Sequence, residues 1–153
     1  MNKIAKFEKV SFEQFKTDWL KVFPDAVDWL IESIYKNIKL PMRSTAGSAG
    51  YDFYLPNEID LIEGKSMVIP TGIRCKIDDG WMLAAFPRSG HGFKYGIHLA
   101  NTVGIIDADY YNADNEGHIQ IKLVNDSKLA KDIELKSGTA FCQGIFIPFG
   151  ITV

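Results

Sequence analysis

From Lys39 onward the chain is cut into short apolar runs by glycine-bearing turns, and that punctuation restricts its fold more than any other feature. Glu63-Gly64, Asp79-Gly80, Asn115-Glu116-Gly117 and Ser137-Gly138 are turn signals, because glycine admits the positive φ that tight turns require. Between them lie Tyr51–Leu55, Ser66–Pro70, Gly72–Ile77, Trp81–Phe86, His118–Asn125 and Ala140–Pro148. These segments are too short for independent helices, and Tyr51, Phe53 and Leu55 alternate with polar-edged neighbours. Such a series predicts an all-β sandwich, barrel or jelly roll. Ser44 to Gly50 is too rich in Gly and Ser for anything but a loop, and Lys39-Leu40-Pro41 reads as extended.

The N-terminal segment follows another period. Ile4 to Val10 reads as a short strand. Ser11 and Gln14 fit a capping box, and Phe12, Phe15, Trp19 and Phe23 follow at helical spacing. Pro24 ends that helix, and Asp25 is placed to cap a second one carrying Val27, Leu30, Ile31, Ile34 and Tyr35. Residues 11–37 therefore read as a two-helix insertion, packed on the domain or between subunits. With 153 residues and 46% hydrophobic side chains, the whole chain is expected to form one domain, 1–153.

Composition narrows the partners. The net charge of −2 gives no basic patch, so nucleic acid is not expected. Cys75 and Cys142 have neither the density of a secreted disulfide scaffold nor zinc-site spacing, and read as buried thiols. Met1-Asn2-Lys3-Ile4 does not open a signal peptide. No apolar run is long enough for a membrane helix. The expectation is a cytoplasmic protein.

The chemistry concentrates between Phe86 and Tyr110. Arg88 offers a planar fork for phosphate oxygens, Ser89 a hydroxyl, and Gly90 close approach of the main chain. Asp107 is a carboxylate able to polarise water. Each residue also has a plain reading: Pro87 to Gly90 as a turn, Asp107 as a strand-end acid, Tyr110 as packing. Tyr111 to Gly117 reads as a solvated tip of a hairpin with arms Ile105–Tyr110 and His118–Leu123. Asp109, two residues beyond Asp107, points the opposite way if the segment is extended, which assigns it to structure or subunit contact.

Ala49-Gly50-Tyr51-Asp52-Phe53, Pro87-Arg88-Ser89-Gly90, Gly96-Ile97 with Asn101 through Tyr110, and Gly138-Thr139-Ala140-Phe141-Cys142-Gln143 resemble, in order and spacing, the first four motifs of the trimeric dUTP pyrophosphatase (dUTPase) family. The resemblance spans roughly residues 39 to 150. It implies a mainly β, jelly-roll-like barrel or sandwich, and hydrolysis of dUTP to dUMP and pyrophosphate by attack of an Asp107-activated water at the α-phosphate. Arg88, Ser89, Gly90 and Gln143 would hold the phosphates. Asn101, Gly104, Ile105, Ile106 and Gln120 would frame the uracil, and Tyr110 would lie on the deoxyribose and exclude a 2′-hydroxyl. Mg2+ would bridge phosphate oxygens, with Asp52 acting on it through water or ordering the site. The resemblance also implies a homotrimer whose sites are shared between subunits. The family's fifth motif, a Gly-rich arm with an Arg and a Phe, has no counterpart before Val153, which suggests a shortened chain with reduced turnover. Two alternatives remain: a nucleotide-binding or regulatory member with weak or no catalysis, and a relative that deaminates dCTP. The deaminase would require a different acid arrangement in place of Gly104-Ile105-Ile106-Asp107.

Overall fold

The computed structural model describes residues 2–126 and 131–153. Strand β1 (Ala5–Lys9) runs antiparallel to β5 (Ile73–Ile77), with Ala5 opposite Ile77. The chain then forms α1 (Phe12–Val22) and α2 (Asp28–Asn37). Ser11 caps α1, its Oγ accepting the Gln14 N–H at 3.2 Å. Only that half of the expected capping box forms. The Gln14 amide turns to Asp18 Oδ2 at 2.8 Å, and the Ser11 N–H donates instead to Glu116 Oε1 at 2.9 Å. Nor does Asp25 cap α2. A turn closed by the Ala26 N–H on Phe23 O at 3.1 Å uses up that stretch, and Val27 becomes the N-cap without a side-chain bond. Asp28 supplies the acid that favours the positive end of the helix dipole.

The helices bury Phe15, Trp19, Ile31 and Ile34, which continue the core of the β domain. Aromatic rings stack through this seam, with Phe15 5.3 Å from Trp19 and 5.6 Å from Tyr35 between centroids. Such pairs add about 0.5–1.5 kcal/mol each to the area they bury.

The remaining strands are β2 (Tyr51–Tyr54), β3 (Ile59–Leu61), β4 (Ser66–Pro70), β6 (Trp81–Pro87), β7 (Ile97–Leu99), β8 (Gly104–Ile106), β9 (Gln120–Asn125), β10 (Ile133–Leu135) and β11 (Ala140–Pro148). They form sheets ordered β2-β11-β6-β8 and β4-β9-β7, with the pairs β1-β5 and β3-β10 closing around the same core, in a mainly β jelly-roll fold. Among the described residues no helix is long and apolar enough to cross a membrane. Cys75 and Cys142 are free and buried. Burial pushes the Cys75 thiol up to about 12 and moves the Cys142 thiol in the same direction.

Two local expectations change. Ile105–Tyr110 and His118–Leu123 are not the arms of one hairpin: β8 pairs with β6, while β9 pairs with β4 and β7. The extended run stops at Asp107 and turns into a 3-10 helix, Ala108–Asn112, which ends any ladder there. The residues after Pro87 are not a simple turn either. They open α3 (Ser89–Tyr95), which Gly96 closes in the left-handed conformation at φ 64°.

Candidate active site

Strand β11 lies between β2 and β6 and aligns three polar groups. Gln143 stands opposite Asp52 on one side and Phe86 on the other. Asp52 is nearly buried and forms an ion pair with Arg88, the residue that follows β6. The Gln143 amide donates to Pro87 O at 3.3 Å. Ser89 and Gly90 are exposed in the first turn of α3, and a Cβ added to Gly90 would meet nothing within 4 Å. This face therefore presents a cation, a hydroxyl and an amide beside open space, a donor set suited to phosphate. His91 joins it, a residue the sequence reading did not single out. Burial, and then the nearby Arg88 charge, hold its imidazole below the usual histidine value, and its Nδ1 is buried without a hydrogen-bond partner.

A second cluster forms a cavity of about 470 Å³ that gathers Asn101, Gly104, Ile105, Ile106, Tyr110 and Gln120. Gly104 lets β8 sit close to its neighbours, since a Cβ there would lie 3.3 Å from Ala85 Cβ and 3.7 Å from Asn101 Nδ2. The Tyr110 ring is held from behind. Its hydroxyl donates to His118 O at 2.8 Å and accepts from Asn115 Nδ2 at 2.8 Å.

Asp107 lies in the adjoining depression, which shares Ile105 and Tyr110 with the cavity. Its carboxylate is exposed. Asp109 lines the same depression rather than the opposite face, because the 3-10 turn replaces the extended geometry on which alternation depends. Among the described residues no group of three or more His, Cys, Asp or Glu side chains could hold a metal ion.

Arg88 and Asp107 do not meet within one chain. In the β6–β8 ladder Leu83 pairs with Ile106, so Asp107 falls beside Met82, while Arg88 lies beyond the other end of β6. At the rise of an antiparallel strand, that separation is about 20 Å. The cavity and the acid adjoin each other, and of the two it is the acid that lies far from Arg88, since Gly104 in the cavity pairs with Ala85, three residues before that arginine.

The segment that carries this cavity is braced by residues that sequence spacing could not reveal. His118 is fully buried, with Nδ1 2.7 Å from Asp18 Oδ2 on α1 and Nε2 accepting the Gly72 N–H at 2.8 Å. Nε2 accepts, so the ring is neutral and its proton sits on Nδ1, donated to the carboxylate. Burial is the largest influence on His118 and holds its pKa below the usual value despite Asp18. For Asp18 burial acts upward, but hydrogen bonds from Lys21, Gln14 and His118 outweigh it and keep the carboxyl below its ordinary range.

Known proteins resemble this chain in both sequence and fold. The profile of a family described as dUTPase matches residues 36–152. A deoxyuridine 5'-triphosphate nucleotidohydrolase of Lactococcus lactis is 39% identical over 118 residues, covering 75% of this chain and 77% of that protein. One of Finegoldia magna is 40% identical over 111 residues, covering 71% and 73%. The crystal structure of a dUTPase from Streptococcus mutans superposes with a TM-score of 0.72 at 32% identity, over 96% of this chain and 98% of that one. A dUTPase of phage phi11 of S. aureus, described with a structural Mg(II) ion, shares the fold at a TM-score of 0.70 and 16% identity. With a family profile matched over residues 36–152, a matched fold and relatives this similar over most of their length, the chain belongs to the dUTPase family.

Proposed function

We infer that the protein hydrolyses dUTP to dUMP and pyrophosphate, at sites shared between copies of the chain in a homotrimer. The observation that carries this reading is the split geometry: one chain offers a cavity with an adjoining acid, Asp107, and that acid stands about 20 Å from Arg88 along β6. A second copy is needed to bring Arg88 to the nucleotide held beside Asp107.

In this arrangement β8 recognises the base. It is the last strand of its sheet, so one row of its backbone groups has no ladder partner within the described chain. Those groups and the Asn101 amide can match the carbonyls and N–H of uracil. A 4-amino group would leave donors unpaired, and crowding in the cavity that Ile105 and Ile106 help to line would disfavour a 5-methyl. Tyr110 lies under the sugar and leaves no room for a 2′-hydroxyl. Asp107 takes a proton from the attacking water. Arg88, Ser89, Gly90 and Gln143 hold the phosphates from a neighbouring copy. Asp52 orients Arg88.

The donor set fits an Mg2+ ion that arrives on the triphosphate: the nearest carboxylate of the phosphate face, Asp52, is already paired with Arg88. Asp52 would then reach the ion only through water. When bound, the ion offsets phosphate charge as it develops. The sequence Gly104-Ile105-Ile106-Asp107 favours the hydrolase over the deaminase reading, which would require a different acid arrangement there.

The test is pyrophosphate release from dUTP with Mg2+, compared with Asp107→Asn. Wild-type turnover that drops about 10²–10⁴-fold in the variant supports the reading. Tight dUTP binding without product would instead leave a nucleotide-binding protein, and ammonia from dCTP a deaminase.

A further inference from the structure

We propose that helix α1 sets sugar selectivity at a distance, through an Asp18–His118 pair that positions the Tyr110 ring. The inference rests on the reading of Tyr110 as the floor beneath the sugar. The helix lies outside the cavity, yet Asp18 reaches the segment that builds the cavity's far wall. Asp18 and His118 are 1% and 0% exposed, so neither can exchange its partner for water.

The chain of contacts is continuous. Asp18 accepts the His118 Nδ1 proton, and Nε2 takes the Gly72 N–H. Gly72 is held from its other side as well, its carbonyl accepting the Val10 N–H at 3.0 Å, in a turn with φ 73° so closely packed that a Cβ there would collide with Ile38 Cδ1. The ring therefore fixes the His118 backbone between α1 and the β4–β5 turn. Its carbonyl is the acceptor that orients the Tyr110 hydroxyl at 2.8 Å. The next residue is held as well, since Thr71 Oγ1 donates to Ile119 O at 2.6 Å and the Ile119 N–H donates to Ile73 O at 2.8 Å. Ile119 and Gln120 then line the cavity. Asp18 and His118 are positioning residues in this scheme, because neither lines the cavity.

Substituting a carboxylate by an amide separates charge from geometry. In Asp18→Asn the amide oxygen can still accept the Nδ1 proton, and the exposed Lys21 ammonium is free to turn to water. In Asp18→Ala the buried ring donor loses its acceptor, at a cost of a buried unmade hydrogen bond.

Two measurements test the proposal on the full chain. The first is hydrogen exchange at the Ala113 and Gly117 amides, which donate to Tyr110 O at 3.0 Å and to Asn115 Oδ1 at 3.1 Å, against the Ile145 amide in the β11–β6 ladder. The second is the ratio of kcat/KM for dUTP over UTP. Asp18→Ala should accelerate exchange at Ala113 and Gly117 while leaving Ile145 unchanged, and should lower the ratio about tenfold, the effect of one lost hydrogen bond. Asp18→Asn should restore both. Uniform acceleration that includes Ile145, local acceleration with an unchanged ratio, or an Asp18→Asn variant as impaired as Asp18→Ala would each overturn it. If the wild-type protein turns over no dUTP, the functional reading fails separately, and unchanged exchange at Ala113 and Gly117 would still refute the brace.

Discussion

Arg88 is ion-paired with Asp52 across the end of the β2-β11-β6 ladder, and the Gln143 side chain stands beside both. Asp52 is the more buried partner, so the pair is asymmetric: removing the guanidinium strands a carboxylate, whereas removing the carboxylate frees a half-exposed cation. Arg88→Ala is therefore expected to lose stability on the order of 1–2 kcal/mol, discounted for the exposure of Arg88. Adding Asp52→Asn should recover most of that loss without recovering turnover. Thermal melting and pyrophosphate release on both single variants and the double variant read the two effects apart.

The separation of Arg88 and Asp107 along β6 makes a prediction about mixing. Arg88→Ala and Asp107→Asn should each be nearly inactive alone. Unfolded together and refolded at equal amounts, they should regain turnover at roughly a quarter of the sites, those that draw an intact Arg88 and an intact Asp107 from different copies of a closed oligomer. No recovery from a mixture that has demonstrably exchanged subunits would place both groups in one chain's site.

Acidity should weaken the N-terminal brace. His118 is neutral in the fold with its pKa held below the usual histidine value of 6.5, so the unfolded chain binds that proton first. Its stabilising share is complete above about 6.5 and is lost as pH falls from there toward the folded value. Asp18, held below its ordinary 3.8, adds stability that is lost only at more acid pH, as the carboxylate protonates. Melting curves between pH 7.5 and 5 should fall for wild type with a slope of at most about 1.4 kcal/mol per pH unit from this one ring. His118→Asn should begin lower and show a flatter dependence over that window.

Gly50 tests the phosphate face without touching the core. A Cβ on Gly50 would run into Gln143 Oε1, the tip of a flexible side chain. Gly50→Ala should therefore leave the melting temperature within a few degrees of wild type, but turn the amide away and raise KM for dUTP several-fold. A comparison with Gln143→Ala checks the cause, since the two substitutions together should cost little more than either alone.

Much of the barrel was visible as alternation. Ser66–Pro70 and Ala140–Pro148 are strands with the boundaries their turns predict. Ile59-Asp60-Leu61 and Ile133-Glu134-Leu135 escaped, because three residues make too short a pattern. They become strands by pairing with each other, Leu61 opposite Ile133. The cavity was legible for a local reason: apart from Ile119 and Gln120, its named residues fall between Asn101 and Tyr110, so one loop, one strand and the 3-10 turn after it bring them together. The Asp52–Arg88–Gln143 alignment depends on register between strands far apart in sequence. The Asp18–His118 pair spans 100 residues, and nothing local to Gly117-His118-Ile119 announces a carboxylate partner. The hairpin expectation failed at Asp107, where a 3-10 turn sends β8 and the segment leading to β9 to different neighbours.

Cys142 stands in β11 between Phe53 on one flank and Pro87 on the other, one residue before Gln143. Its thiol is fully covered, and burial keeps it protonated at neutral pH, whereas alkylating reagents need an accessible thiolate. The rate at which a maleimide reaches that sulfur thus counts the moments when the strands aligning Asp52, Arg88 and Gln143 come apart. The molecule carries its own clock for the breathing of its phosphate face, and a bound triphosphate that spans this face should slow it.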